Sequence, residues 1–422
     1  MEIFKKYDIR GLYPSEINEE NAFRIGRAIA TLLKKKNIFL NYDNRLGSIR
    51  IKDNFTSGLI HSGATVYELG MGPVTVSAFA SIREDACGIC ISASHNPMEY
   101  TGILTYINGV TLTPEPIKAV YLEKKFSENF GKMIPFGYDD KYVDYITKGE
   151  KMKVKVGVDS MGGSTTFIAP YIFNKVGAKV SMLRSSPSSD FYGRVPEPSP
   201  ENCKDLGRLV KKDGLNFGLQ LDADGDRGMI VDDKGRALDP MITSLILIKY
   251  LKFKNIVATI ACSSLLEDYA KVKYVKTGRP NVEDEMKTKK YDFGVETASH
   301  FYFGKYYPFS DGILLGLLVG RVIAITGKKL SELVKEFPKI YYGNLSLAFS
   351  SQDKIKRKMG EIEKNLKGYK NKIEMDGVKI LLENGFMLFR PSNTEPLVRV
   401  YYEGRGPAEF KKIHALVNRI IK

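Results

Sequence analysis

Two short segments carry side chains that could together transfer a phosphoryl group. Residues 92–97 read SASHNP and place Ser94 behind an apolar run, and residues 221–228 read LDADGDRG. A serine hydroxyl can form a covalent intermediate, and clustered carboxylates can hold a divalent cation. The pairing of the two segments therefore indicates phosphoryl-transfer chemistry.

The acidic segment has the spacing of a metal-binding loop. Asp222, Asp224 and Asp226 lie two residues apart, so in an extended loop their side chains can point to one side. Their hard oxygen ligands suit Mg²⁺, which keeps water or phosphate among its ligands. An EF-hand calcium loop would need glycine and glutamate where this chain has Arg227 and Asp233. A solvated turn is the remaining alternative, but three unneutralised aspartates between apolar strands would repel one another, which favours a cation.

The serine segment follows the apolar run Gly88–Ile91, and it is followed by Asn96 and Pro97. Those two residues are typical of a cap and a first-turn proline, which predicts a short helix or turn. The positive end of a helix dipole would favour a phosphate on Ser94. The alternative is an ordinary strand-to-turn connection capped by serine and asparagine.

A third segment, RPSNTEPLVR at residues 390–399, is a candidate phosphate clamp. Hydroxyls, an amide and backbone N–H groups around a guanidinium are what a terminal phosphate dianion needs. The clamp residues are Arg390, Ser392, Asn393, Thr394 and Arg399. A polar hairpin or strand-to-helix loop is the alternative interpretation.

Composition narrows the class of protein that could carry these segments. A chain of 422 residues is too long for one core and predicts about three or four domains. The net charge of +15 is spread along the chain, which disfavours dedicated nucleic-acid binding and favours a basic surface that steers phosphorylated substrates. The longest apolar run, Ile313–Ile325, is interrupted by Gly316, Gly320 and Arg321, so no membrane span is expected. No apolar stretch follows the first lysines, which predicts a cytoplasmic protein without a signal peptide.

The four cysteines give no sign of a disulfide framework. Cys87 and Cys90 form a CxxC pair, but the segment ACGICIS is typical of a buried strand. Alternation along a strand sends these two positions to opposite faces, so we expect core packing.

Short β-rich segments alternate with helical patterns over most of the chain, which predicts mixed α/β domains with largely parallel sheets. The segments are Asn37–Tyr42, Ala64–Leu69, Cys87–Ile91, Val154–Asp159, Lys179–Leu183, Phe217–Leu221 and Asn255–Ile260. Charged stretches at 148–153 and 249–255, and the end of a helix before Pro338, predict domains at 1–148, 149–252, 253–338 and 339–422. The last, with a hairpin at Val378–Phe389, is expected to be a smaller α+β domain.

An N-terminal segment and four ordered motifs after it give the chain a resemblance to a known family. KYDIRG at the start, SASHNP, DADGDR, GVETASH and RPSNTEP resemble the α-D-phosphohexomutase superfamily, and most closely its phosphomannomutase/phosphoglucomutase branch. Glucosamine-specific members usually have a TDGIRG-type start and an SGTEP clamp, whereas this chain has YDIRG and SNTEP. The resemblance covers the whole chain and implies three similar α/β domains and a smaller C-terminal phosphate-binding domain around a central cleft.

The resemblance also implies residue roles and a reaction. Phospho-Ser94 would pass its phosphoryl group to a hexose 1- or 6-phosphate, and the resulting 1,6-bisphosphate would return the other phosphate. Ser94, through its phosphate, would hold Mg²⁺ with the three aspartates. The other residues that match family positions are Tyr7, Arg10, His95, Asn96, Arg227, Glu296, His300, Arg390, Ser392, Asn393 and Thr394.

The chain departs from the family pattern at three positions. The lysine that usually follows the serine loop is Leu104, and a phosphate-contacting lysine of the third domain is Glu283, with Arg279 as a stand-in. In the sugar loop the usual serine is Ala298, with Ser299 beside it. Loss of a charged transition-state contact reduces activity or changes the substrate.

Two hypotheses follow. The first is a Mg²⁺-dependent mutase for mannose or glucose phosphate, with a pentose or aminosugar phosphate as the alternative substrate, acting as a monomer or homodimer. The second is a catalytically impaired paralogue that binds a sugar phosphate, as Leu104, Glu283 and Ala298 would suggest. His300 and Arg10 are the candidates for the general base.

Overall fold

The computed structural model describes residues 3–33, 37–392 and 396–422. Within these ranges the strands form four sheets, each belonging to a successive part of the chain. This arrangement confirms three α/β units followed by a smaller α+β unit. Each strand predicted from the sequence is present, with ends shifted by at most two residues.

The first unit has a sheet of mixed direction with the order β1-β5-β4-β2-β3-β7, and β6 pairs with β5. Strands β4, β2, β3 and β7 are parallel to their neighbours in that run, which brings their carboxyl ends to one edge. The elements are β1 Ile9–Leu12, α1 Glu19–Leu32, β2 Asn37–Tyr42, α2 Leu46–His61, β3 Thr65–Met71, α3 Val74–Arg83, β4 Cys87–Ile91, β5 Tyr100–Ile107, β6 Val110–Thr111, α4 Pro114–Glu123, β7 Lys132–Pro135 and α5 Asp139–Thr147.

The second unit has the sheet order β11-β10-β8-β9, with β10, β8 and β9 parallel and β10 and β11 joined as a hairpin. The turn of that hairpin holds the three aspartates. The elements are β8 Lys155–Asp159, α6 Ile168–Lys175, β9 Lys179–Leu183, α7 Lys204–Lys212, β10 Phe217–Leu221 and β11 Gly228–Val231. Helix α8, Pro240–Leu251, follows this sheet and overlaps the stretch that was predicted to be a linker.

The third unit has the order β13-β12-β14-β15-β16. Its elements are β12 Asn255–Thr259, a 3-10 helix Ser264–Asp268, β13 Lys271–Val275, α9 Arg279–Met286, β14 Phe293–Val295, β15 Phe301–Phe303, β16 Tyr307–Ser310, α10 Gly312–Thr326 and α11 Leu330–Val334. The fourth unit is an antiparallel sheet in the order β17-β21-β20-β19-β18. Its elements are β17 Ile340–Ala348, α12 Gln352–Asn365, β18 Lys372–Glu374, β19 Val378–Leu382, β20 Gly385–Pro391, β21 Leu397–Arg405 and α13 Pro407–Ile420.

One continuous apolar cluster joins the first three units, and the fourth has a core of its own. Cys90 belongs to the shared cluster, whereas Cys87 lies in a separate cluster on the other face of the first sheet. Both thiols are buried and free, so the prediction that the CxxC pair serves core packing is confirmed.

Helix α10 is apolar on all sides from Gly312 to Gly320, where it is buried, whereas Arg321 and Ile325 near its end are exposed. A Cβ on Gly312 would lie 2.5 Å from the carbonyl oxygen of Arg227, so glycine allows this helix to approach the acidic loop closely. No helix in the described ranges is long and apolar enough to cross a bilayer.

Candidate active site

The serine loop, the acidic loop and the loop after β14 meet at one cavity. It has a volume of about 190 Å³, and its lining includes Ser94, Asp226, Arg227, Glu296 and His300. The first unit supplies the serine, the second the aspartates, and the third the glutamate and histidine. The remaining lining residues are Tyr7, Asp8, Arg10, Leu104, Gly278, Arg279 and Ala298.

The Ser94 hydroxyl points at the acidic loop. Its Oγ donates a hydrogen bond of 2.8 Å to Oδ2 of Asp222, and its backbone N–H donates to Oγ of Ser92 at 2.8 Å. Ser92 Oγ in turn donates to Oδ2 of Asp224 at 2.9 Å. Ser92, which the sequence analysis did not single out, thus ties the serine loop to the acidic loop.

The backbone of the serine loop decides between the predicted helix and the predicted turn, and it corrects the expectation that a helix dipole acts on Ser94. Ser94 has a φ of +49°, in the left-handed region, and residues 93–99 form successive turns without a helix. Asn96 and Pro97 therefore do not open a helix, and no helix dipole of this segment acts on Ser94. The strained φ instead aims the hydroxyl across the edge of the sheet.

A buried ion pair that the sequence analysis missed supports this loop from below. Arg45 is fully buried, and its Nε donates to Oδ2 of Asp43 at 2.8 Å. Its Nη1 donates to the carbonyl oxygen of Pro97 at 2.7 Å, and its Nη2 donates to that of Ser94. The segment DNR directly follows β2, but its connection with the serine loop depends on β2 and β4 being parallel neighbours whose carboxyl ends meet.

The acidic loop is shaped for a divalent cation. One ligand atom from each of Asp222, Asp224 and Asp226 lies within 4.8 Å of the other two, and all three residues are buried. Oδ1 of Asp224 and Oδ1 of Asp226 have no hydrogen-bond partner among the described residues. The backbone N–H groups of Gly225 and Arg227 donate to Oδ1 of Asp222 at 2.9 and 3.2 Å, which fixes the loop. Buried acceptors without donors need a compensating charge, so the donor set fits Mg²⁺.

The electrostatics of the loop agree with that fit. Burial, followed by repulsion from Asp224 and Asp226, raises the pKa of Asp222 well above its usual range. Burial, with repulsion from Asp226 next, raises the pKa of Asp224 to about 6. Burial by itself would raise the pKa of Asp226, but the combined effect of His300, Arg279 and Arg227 is larger and lowers that pKa below its usual value. A bound cation would remove the repulsion that raises the first two.

Arg279 reaches the acidic loop from the first residue of α9. Its Nη1 lies 2.6 Å from Oδ2 of Asp226, and its Nε lies 3.2 Å from Oε1 of Glu283. Its guanidinium lies over the rings of Tyr106 and Phe309, with ring centres 5.4 and 5.6 Å away. The side chain is therefore fixed on all sides. Leu104 lines the same cavity as Arg279.

The two histidines at the cavity are buried beside charged groups. Burial, followed by the positive charges of Arg227 and Arg10, lowers the pKa of His95 far below its usual range, and its Nδ1 lies 3.4 Å from Oγ of Ser94. Burial also lowers the pKa of His300 to about 3, against the opposing effect of Asp226. Both imidazoles are therefore uncharged at neutral pH.

The structure brings most of the predicted substrate contacts to the cavity. Arg10 donates to Asn96 and to Asp8, and Oη of Tyr7 donates to the carbonyl oxygen of Thr277 at 3.1 Å. Glu296 is buried and accepts a hydrogen bond of 2.8 Å from Oη of Tyr302.

The sugar-loop serine is the exception. Ser299 is buried with a φ of +65°, and the cavity lining includes Ala298 rather than Ser299. The expectation that the hydroxyl has moved by one residue to contact substrate therefore has no support in the geometry.

The candidate clamp opens onto a neighbouring cavity of about 500 Å³ that shares part of its wall with the first. Arg390, Ser392 and Arg399 line this second cavity, and Nη2 of Arg390 lies 3.0 Å from Oδ2 of Asp376. Tyr7, Asp8, Arg10 and Gly278 line both cavities. The predicted clamp residues Asn393 and Thr394 lie outside the described residues.

Comparisons with known proteins agree with this arrangement. Models of the phosphoglucomutase/phosphomannomutase family match in order: α/β/α domain I at residues 1–129, domain II at 140–235, domain III at 239–341 and the C-terminal domain at 351–420. A solved phosphoglucomutase/phosphomannomutase family protein from Burkholderia thailandensis superposes with a TM-score of 0.90 at 24% identity, covering 100% of this chain and 97% of that one. The putative phosphomannomutase of Thermus thermophilus superposes with a TM-score of 0.82 at 23% identity, covering 98% of each chain.

Curated relatives cover almost the full chain. The phosphoglucomutase/phosphomannomutase of Thermococcus kodakarensis is 31% identical, over 96% of this chain and 95% of its own length. The probable phosphoglucosamine mutase of Methanocella arvoryzae is also 31% identical, over 100% of this chain and 98% of its own length. The phosphomannomutase of Methanocaldococcus jannaschii is 30% identical, again over 100% of this chain and 98% of its own length.

The four-unit fold is that of the α-D-phosphohexomutase superfamily. Within it, the chain belongs to the phosphoglucomutase/phosphomannomutase family, whose members are phosphosugar mutases, that is, intramolecular phosphotransferases. The matched ranges group α8 with the third domain, whereas the lysine-rich stretch predicted a boundary after that helix. The exact domain boundaries stay a prediction.

Proposed function

We propose that this chain interconverts hexose 1-phosphate and hexose 6-phosphate, with mannose or glucose as the sugar, through phospho-Ser94 and a 1,6-bisphosphate. The observation that carries the proposal is the 2.8 Å hydrogen bond from Oγ of Ser94 to Asp222 inside a buried three-aspartate loop. This places a nucleophilic oxygen beside a cation-binding group, which phosphoryl transfer needs. A cytoplasmic location and a monomeric or homodimeric state stay predictions.

Asp222, Asp224 and Asp226, with a phosphate oxygen on Ser94, would hold Mg²⁺. When bound, the ion supplies positive charge that offsets the charge of the transferring phosphoryl group. The pattern of donors and the two carboxylate oxygens without partners support this assignment. A fungal N-acetylphosphoglucosamine mutase of the same fold has been solved with a sugar phosphate and magnesium.

Arginines of the protein would stabilise the remaining charge. Arg227, Arg279 and Arg10 line the cavity around Ser94, so their guanidinium groups can face the equatorial phosphoryl oxygens. Arg279 supplies a positive charge to the cavity that Leu104 also lines, and Leu104 stands where the family usually has a lysine. The replacement of that lysine therefore need not leave the cavity short of charge.

One of two residues would take the proton of the attacking sugar hydroxyl. We favour His300 over Arg10, because an imidazole can exchange a proton whereas a guanidinium in a protein keeps its own. His95 lies beside Ser94 and would assist orientation of that hydroxyl.

The second cavity would hold the phosphate that does not react. Arg390, Ser392 and Arg399 line it, and Asn393 and Thr394 continue the same segment. Between the two cavities, Tyr7, Asn96 and Glu296 would contact the sugar. A substrate with a phosphate at each end, turned by half a revolution, would present either phosphate to Ser94.

The relatives leave the sugar open, because their names include phosphomannomutase and probable phosphoglucosamine mutase at nearly equal identity. The motifs YDIRG and SNTEP favour mannose or glucose over an aminosugar. The second candidate function is a catalytically impaired paralogue that binds a sugar phosphate, which Leu104, Glu283 and Ala298 favour. In that case we expect Leu104→Lys to raise the transfer rate.

The decisive experiment is a coupled mutase assay with mannose 1-phosphate, glucose 1-phosphate, glucosamine 1-phosphate and ribose 1-phosphate, with Mg²⁺ and the catalytic sugar bisphosphate. Wild type is compared with Ser94→Ala and with Ser350→Ala, a control at an exposed position of the fourth domain. We expect hexose turnover that is lost only in Ser94→Ala. Turnover on the aminosugar phosphate alone would show that the substrate is an aminosugar phosphate rather than a hexose phosphate. Turnover that does not depend on Ser94 would contradict the phosphoserine mechanism. No turnover on any sugar, ribose 1-phosphate included, would favour the binding role.

A further inference from the structure

Asp376 lies in the turn between β18 and β19, outside every motif that the sequence analysis used. The turn is pressed against β20 where that strand carries the clamp arginine. A Cβ on Gly377, whose φ is +109°, would lie 2.2 Å from the carbonyl oxygen of Phe389 and 2.7 Å from Cα of Arg390. Only glycine allows this approach, so the position of the Asp376 carboxylate relative to Arg390 is set by the backbone.

The carboxylate of Asp376 makes two contacts that join different units. Its Oδ2 lies 3.0 Å from Nη2 of Arg390, and the same atom accepts a hydrogen bond of 3.3 Å from the backbone N–H of Thr277. The side chains of Asp376 and Arg390 are 12% and 10% exposed, so water screens their pairing only weakly. Nε of Arg390 has no hydrogen-bond partner among the described residues.

The peptide at Thr277 continues this connection toward the reacting centre. Its carbonyl oxygen accepts a hydrogen bond of 3.1 Å from Oη of Tyr7, which lines both cavities. Two residues later, Arg279 pairs with Asp226 of the acidic loop. Asp376 is therefore the point at which the clamp is attached to the segment that carries Arg279.

We propose that Asp376 is a positioning residue that orients Arg390 toward the non-reacting phosphate and fixes the clamp against Thr277. This inference rests on the proposed function and deepens it. A long arginine side chain left unpaired would lose many rotamers when phosphate binds, and pairing with Asp376 removes that loss beforehand. The pairing holds Nη2 and thereby fixes the plane of the guanidinium group at the wall of the second cavity.

The variant Asp376→Asn removes the negative charge of this side chain but keeps its hydrogen bond with the backbone of Thr277. Asp376 has a φ of +51°, which asparagine also adopts readily, and the amide oxygen can still accept from Thr277. Only the ion pair with Arg390 is lost. We expect KM for the hexose phosphate to rise about tenfold with kcat within about twofold, because binding geometry suffers and the chemical step does not.

The experiment compares steady-state kinetics of wild type, Asp376→Asn, Arg390→Met and the double variant. Asp284→Asn, at an exposed aspartate paired with Lys287, is the matched control. If Asp376 acts through Arg390, Asp376→Asn has no further effect on KM in the Arg390→Met background. An unchanged or lowered KM in the single variant, a fall in kcat alone, or independent effects in the double variant would overturn the proposal.

Two further measurements keep the test separate from folding and from the proposed function. Asp376→Gly accepts the positive φ without strain and also removes the contact to Thr277, so we expect a larger rise in KM than with asparagine. Calorimetric binding of hexose 6-phosphate needs no turnover. If wild type shows no Ser94-dependent turnover, the proposed function fails, while an unchanged dissociation constant in Asp376→Asn would refute the positioning role itself.

Discussion

Replacement of Arg279 by methionine separates its structural role from its chemical role. Arg279 pairs with Asp226 and Glu283, whose side chains are 1% and 0% exposed. Removal of one partner from a buried ion pair costs about 3–5 kcal/mol, because the remaining charge keeps its desolvation penalty. Methionine keeps the contact with the rings of Tyr106 and Phe309, so little of the loss should come from packing.

The size of the effect depends on what Glu283 does without its partner. Burial already raises the pKa of Glu283 to about 7, and Arg279 opposes that rise. Without the arginine the carboxyl group takes up a proton near neutral pH, which limits its share of the penalty to about 1–2 kcal/mol. The rest of the free-energy penalty then comes from the unpaired charge of Asp226, and bound Mg²⁺ should reduce that contribution.

We therefore expect Arg279→Met to lose about 3–5 kcal/mol of stability in EDTA and distinctly less in Mg²⁺. Adding Glu283→Gln should return about 1–2 kcal/mol, because the amide still accepts from the backbone N–H of Thr111 while carrying no charge. Turnover should fall about 10²–10³-fold in both variants, since neither has the arginine at the cavity.

The assay is urea unfolding followed by tyrosine fluorescence and by proteolysis, with the first transition compared among variants, because a chain of several domains need not unfold in one step. Activity is measured on the same preparations. A cost below about 1 kcal/mol in EDTA, or no recovery with Glu283→Gln, would refute the ion-pair reasoning. Full activity of Arg279→Met would refute its assignment to the reacting centre.

Three further changes test other parts of the structure. Ser92→Ala should weaken Mg²⁺ binding about 10–100-fold by calorimetry, because the hydroxyl that orients Asp224 is lost. Gly163→Ala should destabilise the acidic loop by roughly 1–3 kcal/mol in urea unfolding, because the added Cβ would lie 2.6 Å from the carbonyl oxygen of Ala223. Burial lowers the pKa of Lys379 from 10.5 to about 8, so between those pH values the unfolded chain binds more protons and wild-type stability rises with pH. Lys379→Met should remove that rise, roughly 3 kcal/mol, in calorimetric unfolding.

Each of these has an outcome that contradicts it. Unchanged Mg²⁺ affinity in the serine variant would mean that the aspartate holds its orientation unaided. Wild-type stability in the glycine variant would mean that the loop moves aside without cost. A pH profile that is the same in the lysine variant and in wild type would assign the rise to other groups.

The strands were predictable because their signals are local. The run CGICI is apolar on both faces, the run FGLQL is apolar except at Gln220, and the structure buries every residue of both. The spacing of the three aspartates is likewise a property of a few neighbouring residues, and they do lie together. The serine loop was predicted to form a short helix or turn, and it forms turns with Ser94 in a left-handed conformation, which local patterns did not indicate.

By itself, the sequence determined the order of the elements, the family and the residue types at the site, since these follow from patterns a few residues long. Only the tertiary structure decided which distant side chains meet. Arg279 reaches Asp226, and Asp376 reaches the backbone of Thr277, because α9 and the β18–β19 turn lie against segments of other units. Such contacts form where several sheets place their edges together, and no local pattern encodes that geometry. The same reason explains why Arg45, buried beneath Ser94, could not be recognised before its neighbours were placed.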